Sequence, residues 1–85
     1  MGYEVKVSKE ARAALASFET EVRIRILRKL ESIRFSPYSF LEKYIDSSLW
    51  KLRVGDYRVI IEIDEKNKSI NAVTAGHRKN LYKKK

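Results

Sequence analysis

The chain has 85 residues, 44% of them hydrophobic and 11% aromatic, which is enough for one packed core and too little for a second. Nineteen Lys and Arg against eleven Asp and Glu leave a net charge of +8, an excess that points to a polyanionic partner; a solubility surface explains charge but not clustering. Cysteine is absent, which excludes disulfides, thiolate metal sites and thiol catalysis and fits a reducing cytoplasm. No run approaches the roughly 20 apolar residues of a membrane span, and the N-terminus lacks the pattern of a secretory leader, so a soluble cytoplasmic domain over residues 1–85 is expected.

Tyr3, Val5 and Val7 alternate with Glu4 and Lys6, the period of a half-buried strand. Ser8 is a good N-cap, and Ala11, Ala14, Leu15 and Phe18 recur behind it at helical spacing, predicting a helix that ends near Phe18. A second helix is predicted from about Thr20, with Glu21 well placed for its dipole, to about Phe35. Its apolar stripe is Val22, Ile26, Leu27, Leu30 and Ile33; Val22 to Ile26 alternate like a strand, but the later residues hold helical phase over four turns. Two such helices so close in sequence form a hairpin whose apolar stripes need a sheet to cover.

From Ser36 to Ser48 the pattern lapses, although Tyr38, Phe40, Leu41 and Tyr44 predict a loop that packs down. Trp50, Leu52 and Val54 alternate with Lys51 and Arg53, the chain turns at Gly55 and Asp56, and Tyr57, Val59, Ile61 and Ile63 resume the alternation. A looser turn through residues 65–68 leads to a last strand from about Ser69 to Gly76, followed by a strongly basic tail, His77 to Lys85. The fold class expected is α+β in the order βααβββ: a helical hairpin packed on a mainly antiparallel four-stranded sheet, with a basic C-terminal tail.

With Gly55 and Asp56 as the two loop residues, Val54 pairs with Tyr57, Arg53 with Arg58 and Leu52 with Val59. One face of this hairpin is then apolar and the other gathers Lys51, Arg53 and Arg58. Like charges directly opposed across a ladder are mildly destabilising, and an anion held by guanidinium pairs and a lysine point charge is a use for that cost. Carrying the register onward with Ile63 opposite Ile70 sets Arg58 across from Ala75 and brings His77 and Arg78 close by. Trp50 and Tyr57 are expected in the core, Tyr82 as an anchor of the tail or a functional group, and His77 as a structural or a titratable histidine. One histidine without cysteine needs carboxylates to complete a zinc site, and none shows ligand spacing; the glycines are too scattered for a phosphate loop.

The stretch Leu49-Trp50-Lys51-Leu52-Arg53-Val54-Gly55-Asp56-Tyr57-Arg58-Val59-Ile60, followed by Ala75-Gly76-His77-Arg78 and Leu81-Tyr82, resembles the RelE branch of the RelE/ParE toxin superfamily over nearly the whole chain. The resemblance implies a single RelE-like toxin domain of a type II toxin-antitoxin system. It also implies a ribosome-dependent endoribonuclease that cuts mRNA in the A site without metal or other cofactor and so inhibits translation. In such cleavage the 2'-hydroxyl attacks the adjacent phosphate in line, leaving a 2',3'-cyclic phosphate and a 5'-hydroxyl. By resemblance, Lys51 activates or electrostatically assists the 2'-hydroxyl, Arg58 clamps the scissile phosphate, Arg78 lies near the leaving group and Tyr82 stacks on or orients the substrate nucleotide. Arg53, His77, Lys79 and Lys83 are auxiliary or RNA-binding candidates. The sequence departs from the family at Leu49, where better-studied members often carry a second lysine. A RelB-like antitoxin, the ribosome and its mRNA are the implied partners, no membrane is implied, and the free toxin is expected to be monomeric. Two other readings share the fold or the charge: a ParE-like inhibitor of DNA gyrase, and an RNA-binding module that grips backbone without cutting.

Overall fold

The computed structural model describes residues 2–44 and 47–77. Strand β1 (Glu4–Val7) leads into helices α1 (Lys9–Ala16) and α2 (Thr20–Ser32); a single 3-10 turn (Pro37–Ser39) follows, then β2 (Glu42–Lys43), β3 (Trp50–Val54), β4 (Tyr57–Asp64) and β5 (Ser69–His77). The sheet order is β1-β5-β4-β3-β2, antiparallel except for the parallel β1-β5 pair that the helical crossover makes possible. The α+β class is as expected, but the sheet has five strands. The addition is β2, whose two residues pair with Lys51 and Trp50; two residues are too short for a period-2 signal.

The helices cover one face. Ala11 and Leu15 from α1 and Ile26, Leu30 and Ile33 around α2 pack on Leu52, Val59, Ile61, Ile70 and Ala72, with Trp50 and Tyr57 partly buried against this core. Leu27, placed in the predicted stripe, is exposed, as is Ile24. Both helices end earlier than the pattern predicts, at Ala16 and Ser32, because backbone caps at Ser17 and Ile33 close them before Phe18 and Phe35. Among the described residues no helix is long and apolar enough to cross a membrane.

Ser8 joins helix to sheet. Its hydroxyl accepts the Ala11 N–H (3.0 Å) to cap α1 and donates to the Val73 carbonyl (2.7 Å), while its own N–H donates to the Ala72 carbonyl (2.9 Å). Val73 is the extra residue of a bulge, since Ile60 pairs with Thr74 but Ile61 with Ala72. The bulge corrects the predicted register by one position: Ile63 is opposite Ile70, yet Arg58 stands across from Gly76 and Val59 takes Ala75.

The end of the sheet away from the β3-β4 turn is pinned by Glu65. Tyr3 donates to its Oε2 (2.8 Å), Tyr38 donates to the same oxygen, and Lys68 Nζ lies 3.0 Å from Oε1. One carboxylate thereby ties β1, the 3-10 turn and the β4-β5 turn. The three donors, Tyr38 first, hold the Glu65 carboxyl down to about 2 from its ordinary 4.5, and the same contact pushes the Tyr38 phenol up to about 12. A depressed carboxyl contributes stability above its unfolded value and loses it as pH falls through its folded value. Glu65→Gln is therefore expected to lower Tm at pH 7, with the gap to wild type closing as pH falls from 4.5 towards about 2; a constant gap across that range in a calorimetric series would refute the assignment.

Candidate functional site

The β3-β4 hairpin sets out the basic residues. Its turn needs Gly55, whose φ is +60°, the positive value that the first position of this tight, strand-twisted turn requires and that other residues adopt at a cost. Val54 pairs with Tyr57, Leu52 with Val59 and Arg53 with Arg58, as the two-residue loop predicted. Successive side chains alternate between faces, so Leu52, Val59 and Ile61 go to the helices while Lys51, Arg53 and Arg58 go to the opposite face.

Two cross-strand rows define that face. Glu42, Lys51, Ile60 and Thr74 form one; Arg53, Arg58 and Gly76 form the next. Arg58 is only 3% exposed, so its long side chain is confined by packing, whereas Arg53 beside it is open to solvent. Lys51 is half-buried: its Nζ lies 3.6 Å from Glu42 Oε1 and 5.3 Å from the centre of the Tyr44 ring. A buried guanidinium, an exposed one and a lysine paired with a carboxylate are suited to hold a phosphate against a sheet.

His77 is not among them. It is the last residue of β5 and pairs with Tyr57 on the helix-covered side, with ring centres 5.2 Å apart and Phe18 stacked 4.7 Å beyond Tyr57. The predicted proximity to Arg58 holds along the strand, but the pleat sends the two side chains to opposite faces. Arg78, Lys79, Tyr82 and Lys83, with the rest of the basic tail, lie outside the described residues.

The profile of the ParE toxin of type II toxin-antitoxin systems matches residues 5–82. The chain belongs to this family of toxins. Among curated proteins there is no match. Solved structures agree on the fold. A chain of a RelBE toxin-antitoxin complex from Mycobacterium tuberculosis superposes with a TM-score of 0.83 at 17% identity, covering 92% of this chain and 100% of that one. The archaeal RelE-RelB complex from Pyrococcus horikoshii gives 0.77 at 29% identity over 92% and 97%. A mutant of the E. coli toxin RelE in its free state gives 0.79 at 16% over 98% and 93%. The toxin therefore sides with the RelE branch of the superfamily, as its motifs resemble.

Two neighbours of Lys51 escaped the sequence reading. Glu42 sits on a strand too short to recognise, and Tyr44 reads only as a loop residue that packs down. Removing the countercharge frees Lys51 for an external anion, so Glu42→Gln is expected to tighten binding of a polyphosphate probe up to about fivefold, and Lys51→Ala to weaken it, the scale of one partly exposed ion pair. Calorimetric titration that finds both variants indistinguishable from wild type would remove Lys51 from the anionic surface.

Proposed function

We propose that the toxin is an mRNA interferase, a ribosome-dependent endoribonuclease that cuts mRNA in the A site and inhibits translation. The observation that carries this reading is the convergence of Lys51, Arg53 and Arg58 on one face of a rigid hairpin in a RelE-like fold.

The reaction forms the O2'–P bond and breaks P–O5'; the 2'-hydroxyl gives up its proton, the phosphorane gains charge, and the 5'-oxygen takes a proton. Lys51 stands to the 2'-oxygen as a point charge that favours the developing alkoxide. Arg58, confined by its burial, clamps the non-bridging oxygens, where a preorganised donor acts most strongly. Arg78 supports the leaving oxygen through charge, since a guanidinium keeps its protons. Tyr82 stacks on the nucleotide and fixes the in-line angle. Arg53 grips the backbone, and Lys79 and Lys83 are further RNA-binding candidates. In this scheme the charge neutralisation that a metal supplies elsewhere comes from side chains.

The test is primer extension on mRNA in a reconstituted translation reaction, with and without ribosomes. Cuts at the A-site codon are expected only with ribosomes. Arg58→Ala and Arg78→Ala are each expected to slow them by about 100-fold or more, the scale of a lost transition-state donor, while ribosome binding persists. Uncut mRNA in every lane would sink the nuclease reading, and loss of gyrase supercoiling activity in a parallel assay would put the ParE-like reading in its place.

A RelB-like antitoxin is the second part of the proposal. The E. coli, P. horikoshii and Methanococcus jannaschii RelE toxins are each solved in complex with RelB. In this toxin the exposed helical residues Ile24 and Leu27 and the basic face together call for a partner with an apolar helix and acidic charge. Coexpression with the neighbouring reading frame is expected to yield a stable complex, and light scattering a monomer of the toxin alone; a stable toxin dimer would overturn the latter.

A further inference from the structure

A second set of cations faces the hairpin from α2. Arg25, Arg28 and Lys29 share one side of that helix, and with Arg53 they line an open groove of about 450 Å³ beside Gly55 and Val54. Strand β2 pairs only with Trp50 and Lys51, so the remaining half of β3 is left as an edge along which this groove runs. Arg25 reaches the turn itself: its Nη1 lies 3.5 Å from where a Cβ on Gly55 would stand. Among the described residues no ion pair engages Arg25, Arg28 or Arg53.

The groove is continuous with the proposed cutting face. Lys29 and Arg53 also line the adjoining hollow of about 200 Å³, with Phe40, Leu52, Lys51 and the Glu42 carboxylate that partners Lys51. Phe40 is 49% exposed, and Lys29 Nζ lies 5.3 Å from its ring centre. Lys29 has an ordinary explanation in the last turn of α2, where a cation suits the helix dipole; Arg25 and Arg28 lie too early for that, and Arg25 is set four residues before Lys29, a like-charge spacing that weakens a helix. Cations along a groove with a half-exposed aromatic ring in the hollow at its end match the chemistry of single-stranded nucleic acid, phosphates on the charges and a base against the ring's exposed side.

We infer that the groove between α2 and the open half of β3 is a second backbone-binding site, which holds single-stranded RNA beyond the bond that is cut. It deepens the nuclease reading, on which its place beside a cleaved bond rests.

The test is fluorescence anisotropy of a labelled oligouridylate of about 12 nucleotides with the purified toxin and no ribosomes, over a range of salt. Each phosphate contact contributes roughly 0.7 to the slope of log affinity against log salt for a single strand, so the double variant R25Q/R28Q is expected to flatten that slope by about 1.4 and to weaken binding about tenfold at low salt. The charge-keeping R25K/R28K is expected to retain the slope. Phe40→Ala is expected to weaken binding about tenfold with the slope unchanged, as lost stacking does. Unchanged affinity and slope in R25Q/R28Q would overturn the site. So would a variant that keeps RNA but loses a polyglutamate probe, which would make the groove a protein contact. A toxin that shows these RNA effects yet cuts no mRNA keeps the groove and loses the nuclease; one that cuts while R25Q/R28Q binds RNA as wild type does the reverse.

Discussion

The register of the β3-β4 hairpin is the constraint on which the rest depends. A two-residue turn at Gly55 and Asp56 leaves one way to pair the strands, and the pleat then sorts every side chain to one face or the other. A slip of one residue would send Leu52, Val59 and Ile61 to solvent and drive Lys51, Arg53 and Arg58 beneath the helices. Burying Lys51 and Arg53 as well against an apolar core costs far more than any pairing could return, so the hydrophobic core and the basic face enforce the same register. The like-charged Arg53-Arg58 pair is tolerated because the core beneath it decides the alignment.

Helix and sheet are coupled through Ser8, which caps α1 and binds the strand at the Val73 bulge. The bulge moves Arg58 from Ala75 to Gly76, a residue without a side chain. At the far end Glu65 gathers Tyr3, Tyr38 and Lys68 and holds the edge strand and the loop that leads to β2. The two ends have different work. One is fastened by a carboxylate, and the other carries a buried Arg58 beside a half-buried Lys51 and an exposed Arg53.

The shortness of β2 matters for the same reason. Had it run the length of β3, its backbone would have covered the edge where Arg25, Arg28 and Lys29 now approach Arg53. Two residues are enough to seat Glu42 beside Lys51 and leave the rest of the edge open. Charge that reads in the sequence as separate helix and strand residues thereby becomes one continuous surface, from the hairpin across the edge to α2.

The local patterns of the chain determined a good deal by themselves. Alternation in residues 50–63 set the strands, the Gly55-Asp56 turn set their pairing, and Lys51, Arg53 and Arg58 fell on one face by parity alone, because these are short-range consequences of backbone geometry. The helical hairpin was legible from its apolar spacing. The tertiary structure decided what needs contacts distant in sequence. It set the Val73 bulge, which answers to a serine 65 residues away, and the pairing of β2, too short to have a period. It turned His77 towards Tyr57 and Phe18, because one added residue and one pleat separate neighbours in sequence onto opposite faces. It also brought the cations of α2 to the edge of β3, an adjacency set by how a helix packs on a sheet and by no pattern within either.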